Sequence, residues 1–335
     1  MAGEGDPILS WQSPRSWIGR HSAPPIERGE AGDDPLRAVL WVTVSMALLA
    51  VIAALVRHAS LGGMPASVSF FWRNLFAVIW MLPLLWARGA SLVRTGQPRL
   101  YIVRVALSFV SMSAFFHALS LIPIGEATAI SFLSPLFGTL FAIVLLGEIV
   151  GWRRWVALAA GLAGALIILR PWHGDAASGF GEGQLAALLS ALCVGLIGPL
   201  VKQLTNADDA DRIVFITSVL MTPLSLVPAL WSWVWPTAGQ WLVMAALGLA
   251  AVLGHMTLVR GYAAAEASLV MTFKFSRLPF AVALGYAAFG ETTDAATWLG
   301  ALVIFAAGVA VTRYEAQQAR RRKASRAPSP PMGNA

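Results

Sequence analysis

Two stretches of this sequence decide its fold: ALSLIPIGEATAISFLSPLFGTLFAIVLLGEIVGWRRW (118–155) and GYAAAEASLVMTFKFSRLPFAVALGYAAFGETTDAATW (261–298). Shifted by 143 residues, the first superposes on the second at three places: Phe132 on Phe275, Gly147-Glu148 on Gly290-Glu291, and Trp155 on Trp298. Pro135 and Pro279 match with a slip of one residue. The chain therefore contains an internal repeat.

Composition indicates that the repeat lies in a membrane. The 335 residues are 57% hydrophobic and only 12% charged, whereas a soluble domain contains about 25% charged residues. A helix crosses a bilayer with about 20 apolar residues. Ten segments fit: 36–56, 67–87, 101–121, 124–146, 153–170, 183–203, 212–233, 241–260, 266–289 and 295–313. We therefore expect an all-α integral membrane protein of ten transmembrane helices.

The repeat unit comprises five of these helices, because the matching segments are the fourth to fifth and the ninth to tenth. An odd number of spans forces the second copy to enter the membrane upside down. The loop that contains Arg153-Arg154 in the first repeat contains uncharged Ala296-Thr297 at the equivalent positions of the second repeat. This difference is expected if the two loops lie on opposite sides of the membrane. Inverted repeats place a substrate site near the midplane, where the halves meet. The sequence predicts such a site, in a central cavity.

The distribution of positive charge predicts the orientation. If the N-terminus is cytoplasmic, the inner segments hold 19 of the 24 lysines and arginines, and the outer loops hold only Arg57 and Arg170. Positive residues concentrate on the cytoplasmic side of inner-membrane proteins. We expect a bacterial-type inner-membrane protein with both termini in the cytoplasm. Trp231, Trp233, Trp235 and Trp241 bracket a predicted outer loop and are interpreted as interface anchors.

Three stretches resemble the drug/metabolite transporter superfamily, and within it the EamA family of two five-helix repeats. They are FFWRNLFAVIWMLPLL (70–85), SPLFGTLFAIVLLGE (134–148) with GLAGALIILR (161–170), and KFSRLPFAVALGYAAFGE (274–291). The resemblance implies a ten-helix bundle around a central cavity that exports or imports small metabolites. The resemblance leaves the polar, Pro-containing ends of the chain unmatched. We therefore expect this organisation: a disordered cytoplasmic tail (1–35), repeat one (36–170), an outer linker (171–182), repeat two (183–313) and a basic cytoplasmic tail (314–335).

Charged residues inside the spans are the candidates for substrate binding, because an intramembrane charge is costly and usually functional. Lys274 lies roughly 13 Å into its helix at 1.5 Å per residue, and Arg277 shares its face one turn deeper. We expect both to bind an anionic group of the substrate, with Arg73 and Asn74 assisting. Ser131 and Ser134 occupy the equivalent positions of repeat one. Pairing with Glu126, or with carbonyls freed by the prolines, is the alternative, purely structural role.

Other residues receive lesser roles. His117 and His255 could relay protons, because histidine titrates near neutrality, although each could equally be a packing residue. Six residues are interpreted as structural or gating: Gly147, Glu148, Gly290, Glu291, Pro135 and Pro279. Each glutamate lies at a C-terminal helix end, where the helix dipole disfavours its charge. A neighbouring helix N-terminus could compensate that charge.

The predicted function is secondary transport by alternating access of a small polar metabolite, preferably one with a carboxylate, such as an amino acid. S-adenosylmethionine-like or nucleotide-like substrates are the alternative, and a channel or a membrane scaffold is the alternative from another class. The predicted spans contain no HExxH, GxGD, paired carboxylate or Cys-His set, so we expect neither an enzyme nor a metal or cofactor site. The expected partners are a small-molecule substrate and the lipid bilayer, without nucleic acid, in a monomer or homodimer.

Overall fold

The computed structural model describes residues 35–121, 130–169, 181–290 and 295–326, and all regular structure in those ranges is helical. Its helices are α1 (Pro35–Leu61), α2 (Ala66–Arg88), α3 (Pro98–Leu121), α4 (Ser134–Phe141), α5 (Trp152–Leu169), α6 (Glu182–Leu204), α7 (Ala210–Trp231), α8 (Ala238–Ala264), α9 (Ala267–Phe273), α10 (Arg277–Phe289) and α11 (Ala295–Arg326). Glu126, Glu291 and most of the two tails and the 171–182 linker lie outside the described residues.

Six helical segments within the described ranges are long and apolar enough to cross a membrane. They are Pro35–Leu61, Ala66–Leu92, Glu182–Leu204, Ala210–Trp231, Ala238–Ala264 and Ala267–Ala288. The apolar helices Ser134–Leu146 and Trp298–Ala310 are shorter than a full span. The multi-pass helical fold is therefore confirmed, and ten crossings remain a prediction.

The described part of the fourth predicted span, from residue 130, and the ninth predicted span each contain a break in the helix. A turn at Phe132–Leu133 precedes α4, and a 3-10 turn at Lys274–Ser276 separates α9 from α10. Each break is followed at once by a proline in the first turn of the next helix, Pro135 in α4 and Pro279 in α10. Proline lacks a backbone N–H, so it is tolerated where a helix starts and disfavours continuation of the preceding one.

The two Gly-Glu sequences end their helices in the same way: Gly147 follows a π-helical segment, Ala142–Leu146, that continues α4, and Gly290 follows α10. Gly147 has a φ of 68° and Gly290 a φ of 64°, in the left-handed region that only glycine adopts without a steric penalty. The amide of Gly147 donates to the carbonyl of Ile143, and that of Gly290 to the carbonyl of Tyr286, each at 3.1 Å. Both glycines are therefore helix C-caps.

Helix packing in the bundle is symmetric with respect to the two repeats. Helix α1 of repeat one packs on α8 of repeat two, and the equivalent pair, α6 of repeat two and α3 of repeat one, also packs together. The equivalent helices α2 and α7 pack on each other, and so do the equivalent helices α5 and α11. Ser45 Oγ donates to the Gly254 carbonyl at 2.8 Å between α1 and α8, and Ser111 and Ser190 hydroxyls lie 3.0 Å apart between α3 and α6. Exchanging the repeats maps this set of helix pairs onto itself.

Counterpart helices run in opposite directions. The Arg153 guanidinium, at the start of α5, lies 4.0 Å from the centroid of the Tyr314 ring in the later part of α11. Further along α5, Gly164 packs against Ile304, nearer the start of α11. We call the end of the bundle where α1 begins at Pro35 the proximal end, and the end where α1 finishes at Leu61 the distal end.

Candidate functional site

Arg73 and Asn74 lie on the interior side of α2. Arg73 Nη2 donates to Asn74 Oδ1 at 3.2 Å, and the guanidinium lies 4.5 Å from the centroid of the Phe70 ring. Arg73 Nε and Asn74 Nδ2 are buried, yet neither has a hydrogen-bond partner among the residues that the structure describes. Buried donors are nearly always paired in folded proteins. These two are therefore free to meet an acceptor that enters the bundle.

A second interior arginine was missed by sequence reasoning, which counted Arg104 among the 19 inner positive charges although it lies within the third predicted span, 101–121. Arg104 lies six residues after Pro98, about 9 Å along α3, and only 7% of it is exposed. Its Nη1 donates to Thr217 Oγ1 on α7 at 2.9 Å, while its Nε has no partner in the described part of the chain. The signal was available, because Arg104 is flanked by apolar residues more than a turn inside the helix.

His255 lies on α8, which packs against the α2 helix of Arg73. By helix rise, Arg73 is about 10 Å from the distal start of α2, and His255 is about 14 Å from the proximal end of α8. The histidine thus lies between Arg73 and Arg104 in depth. The structure joins Arg73 to Asn74 by a hydrogen bond and adds Arg104 to the interior polar residues.

Lys274 and Arg277 lie at the break between α9 and α10. Lys274 is half-buried in the 3-10 turn, whereas Arg277, the first residue of α10, is exposed. Neither side chain makes a hydrogen bond or ion pair with a residue in the described ranges. Ser134 is buried at the first position of α4, and Ser131 is half-buried before it. The predicted polar residues therefore lie at the helix breaks of the two repeats.

His117 lies at the exposed distal part of α3. Its Nε2 is 2.9 Å from Glu182 Oε1, and the two side chains are 52% and 78% exposed. The role of a proton relay for His117 stays a prediction, without burial to support it.

Glu148 contacts the start of α9 at the proximal end. Its carboxylate accepts hydrogen bonds from the amides of Ala267 and Ser268, at 2.6 and 2.9 Å. Beside it, Arg154 forms an ion pair with Glu266 and donates to Ser268 Oγ at 2.7 Å. The compensating group for Glu148 is thus the N-terminus of α9, whose unpaired amides and dipole favour a negative charge.

Aromatic side chains gather at the distal end around Trp72. The ring centroid of Trp72 is 4.5 Å from that of Trp241 and 5.9 Å from that of Trp233. Trp231 is 83% exposed, as expected of an interface anchor. Trp233 and Trp241 differ from that expectation, because the α7–α8 connection folds back over α2. Trp72 Nε1 is buried and has no acceptor within the described ranges, so this cluster also presents an unpaired donor.

Metal ligation is not indicated in this part of the chain. Across the described residues, no group of three or more His, Cys, Asp or Glu side chains could hold a metal ion. The interior residues described above instead offer a ligand N–H donors and positive charges next to aromatic rings.

Comparison with known proteins agrees with this arrangement. The family model of the EamA-like transporter family matches residues 36–170 and 181–313. The chain belongs to the EamA-like transporter family, as two EamA repeats within the drug/metabolite transporter superfamily. It is a multi-pass membrane transporter and not an enzyme.

Three relatives illustrate the range of the similarity. A riboflavin transporter of Vibrio cholerae is 31% identical, over 86% of this chain and 97% of the relative. A riboflavin transporter of Rhizobium johnstonii is 32% identical, over 86% and 96%. An S-adenosylmethionine uptake transporter of Rickettsia prowazekii is 24% identical, over 81% and 91%. All three are transporters of small metabolites.

One solved crystal structure shows the fold. It superposes with a TM-score of 0.70 at 22% sequence identity, covering 84% of this chain and 98% of the other. The similarity of fold therefore extends over nearly the whole of the solved protein.

Proposed function

We propose that this chain is a secondary transporter that moves a small polar metabolite by alternating access between two inverted five-helix repeats. Ten spans surround a central cavity in a bacterial-type inner membrane, as a monomer or homodimer. The antiparallel packing of α5 on α11 supports the inversion. The broken helices at Lys274 and before Ser134 support a site at the repeat interface, because discontinuous helices form such sites in other transporters.

The proximal end faces the cytoplasm in this proposal. At that end Arg88 Nη2 lies 3.0 Å from Asp211 Oδ2, between α2 and α7. A shift of 144 residues relates this pair to Ser67 and Ser232, whose hydroxyls are 2.6 Å apart at the distal end. The contact between α2 and α7 thus contains an arginine at the proximal end and only uncharged serines at the distal end. This supports a cytoplasmic proximal end, because positive residues concentrate on the cytoplasmic side of the membrane.

Riboflavin, or a similar heteroaromatic metabolite, is the first candidate substrate. Two relatives at 31% and 32% identity over almost their full length are named riboflavin transporters. Riboflavin presents ring carbonyls that could accept hydrogen bonds from Arg73 and Asn74, and a flat ring that could stack near Trp72. The observation that carries the proposal is the set of buried, unpaired donors in the interior.

Other substrates remain in the proposal as alternatives. S-adenosylmethionine is supported by the Rickettsia relative, and a pseudopaline exporter of Pseudomonas aeruginosa is 28% identical over 82% of this chain and 95% of the relative. The preference for an amino acid receives no support from these relatives. It rests only on the positive charge of Lys274, Arg277 and Arg73.

Uptake into proteoliposomes tests the proposal. Labelled riboflavin, S-adenosylmethionine and an amino acid are compared with protein-free liposomes, and we expect saturable riboflavin uptake with counterflow. A channel would give no counterflow.

Lys274→Ala and Arg277→Ala should each reduce uptake by about tenfold, the effect of one charged hydrogen bond. Arg99→Ala, an exposed arginine at the start of α3, serves as the control. Uptake unchanged in both variants would remove the role assigned to the pair.

A further inference from the structure

Helix α2 contains a cluster of buried polar groups without hydrogen-bond partners. Of the six buried side-chain atoms that lack a partner within the described ranges, four lie between residues 69 and 74: Ser69 Oγ, Trp72 Nε1, Arg73 Nε and Asn74 Nδ2. Ser69 is 0% exposed, Trp72 9% and Asn74 5%. Buried polar groups are nearly always paired in folded proteins, so this cluster points to partners that a ligand supplies. We call the four residues the α2 donor row.

The α2 donor row consists of hydrogen-bond donors on neighbouring positions. Ser69, Trp72 and Arg73 are spaced by three and four residues, so they lie on one side of the helix with about 5–6 Å between their Cβ atoms. Asn74 joins them through its Oδ1, which accepts from Arg73 Nη2 at 3.2 Å. The three unpaired nitrogens can only donate, and the serine hydroxyl is able to donate. The row therefore matches a ligand edge that presents oxygen acceptors.

The surroundings of the row suit an uncharged acceptor. Three of its four unpaired groups, those of Ser69, Trp72 and Asn74, are neutral. The Arg73 guanidinium lies 4.5 Å from the centroid of the Phe70 ring, a cation–π contact that compensates part of its charge. Carbonyl oxygens of a neutral ring are therefore sufficient acceptors.

Aromatic rings from both repeats border the row. The ring centroid of Trp72 lies 5.3 Å from that of Phe71, 4.5 Å from that of Trp241 and 5.9 Å from that of Trp233. Trp233 and Trp241 belong to the second matched repeat, 181–313. Such rings pack favourably on a flat ligand. The donor atoms are sealed from solvent in this structure, so a ligand reaches them when the two repeats separate, as alternating access requires.

We propose that the α2 donor row binds the carbonyl edge of a flat, uncharged heteroaromatic ring, with Ser69 Oγ and Trp72 Nε1 donating to the ring oxygens. Arg73 and Asn74 complete the row. The transporter therefore selects flat rings that carry carbonyl groups over flat rings that lack them. This inference rests on the proposed transport function. It assigns substrate recognition to Ser69 and Trp72, which sequence analysis did not name as site residues.

Calorimetric titration of the purified full-length protein in detergent tests the row with two probes. Lumiflavin is a flat three-ring compound with two ring carbonyls, and phenazine is a flat three-ring compound without any. Heats of mixing with protein-free detergent are subtracted. We expect the wild type to bind lumiflavin at least about fivefold more tightly than phenazine, the effect of one neutral hydrogen bond. Equal affinity for the two probes, or no binding of lumiflavin, would overturn the proposal.

Ser69→Ala and Trp72→Phe each remove one donor from the row. We expect each variant to weaken lumiflavin binding by about fivefold or more and to bind phenazine as the wild type does. Unchanged lumiflavin binding in both variants would contradict the assignment of the donors. A loss shared equally by the two probes would contradict it as well, because that result indicates altered ring packing and not a lost hydrogen bond.

Two control variants change the same residue types where the donor already has a partner. The Ser225 hydroxyl donates to the Thr222 carbonyl at 2.9 Å, and Trp80 Nε1 donates to the Ala245 carbonyl at 2.9 Å. Ser225→Ala and Trp80→Phe should therefore bind lumiflavin as the wild type does. Losses in these controls equal to those in the row would reject a specific role for the row.

Ligand-free stability gives a second readout for Ser69. Ser69→Ala removes a buried hydroxyl without a partner, so its unfolding temperature should equal or exceed that of the wild type. Ser225→Ala removes a paired hydroxyl and should lower the unfolding temperature. A lower temperature for Ser69→Ala would show that its hydroxyl has a structural partner instead.

The outcome for the row is distinguishable from the outcome for the proposed function. Wild-type liposomes that take up none of the tested metabolites, with lumiflavin binding that depends on Ser69 and Trp72, would reject the transport proposal and retain the row. Riboflavin uptake with unchanged apparent affinity in Ser69→Ala and Trp72→Phe would reject the row and retain transport.

Discussion

Phe132 and Phe275 stack on one another, with ring centroids 5.8 Å apart and ring planes 18° from parallel. They are equivalent residues of the two repeats, and each lies in the break of its helix. Equivalent residues of a twofold arrangement touch only at the axis. The contact therefore marks where the pseudo-twofold axis crosses the bundle, and it joins the two broken helices there.

Gly161 on α5 leaves room for this stack, which gives the first prediction. A Cβ at Gly161 would lie 2.6 Å from Cδ2 of Phe275, a residue that is 1% exposed. Gly161→Ala should therefore lower the unfolding free energy by about 1–3 kcal/mol, the usual cost of overpacking. Gly239→Ala, where a Cβ meets nothing within 4 Å, is the matched control. Equal unfolding temperatures of the two variants would contradict this account of the stack.

The second prediction concerns the link between Glu148 and the start of α9. Removing the carboxylate leaves the amides of Ala267 and Ser268 without acceptors. Glu148→Ala should cost about 1–2 kcal/mol, as for other helix N-caps, and Glu148→Gln should cost less. Glu182→Ala, in the exposed pair with His117, should change little. Thermal unfolding in detergent measures all three, and a cost for Glu182→Ala as large as that for Glu148→Ala would contradict the prediction.

Two adjacent aspartates before α7 give the third prediction. Asp208 is buried and accepts from Thr95 Oγ1 at 2.6 Å, Tyr101 Oη at 3.0 Å and Arg212 Nη1 at 2.6 Å. Asp208→Ala leaves Arg212 without its carboxylate and should cost about 3–5 kcal/mol. Asp209 has a side chain that is 70% exposed and 3.8 Å from Arg88, so Asp209→Ala should cost about 0–1 kcal/mol. Unfolding temperatures in the reverse order would refute the structural role of Asp208.

The fourth prediction is a covalent test of movement between α2 and α7. The hydroxyls of Ser67 and Ser232 are 2.6 Å apart at the distal end, close enough for a disulfide when both are cysteine. In a Cys193→Ser background, which removes the one native cysteine, oxidised Ser67→Cys/Ser232→Cys protein should lose uptake, and reduction should restore it. Each single cysteine variant is the control. Full uptake by the cross-linked protein would show that this contact does not open during transport.

Much of the fold was predictable because its signals are local. Apolar runs separated by charged loops indicate the spans, and Gly147-Glu148 and Gly290-Glu291 indicate how two of them end. The register of Phe132 on Phe275 was also readable, because it needs only a comparison of the chain with itself. Arg104 was missed because it lies only three residues inside the third predicted span, 101–121. Span boundaries are uncertain by about three residues, so it was counted with the inner charges.

Sequence alone determined that this chain is a helical membrane protein with a repeated unit, because hydropathy and self-similarity are properties of consecutive residues. Only the tertiary structure decided which helices are neighbours. It placed Arg104 against Thr217, packed Trp233 and Trp241 on Trp72, and set Glu148 at the start of α9. These contacts join residues far apart in the chain, and no periodicity in the sequence records them.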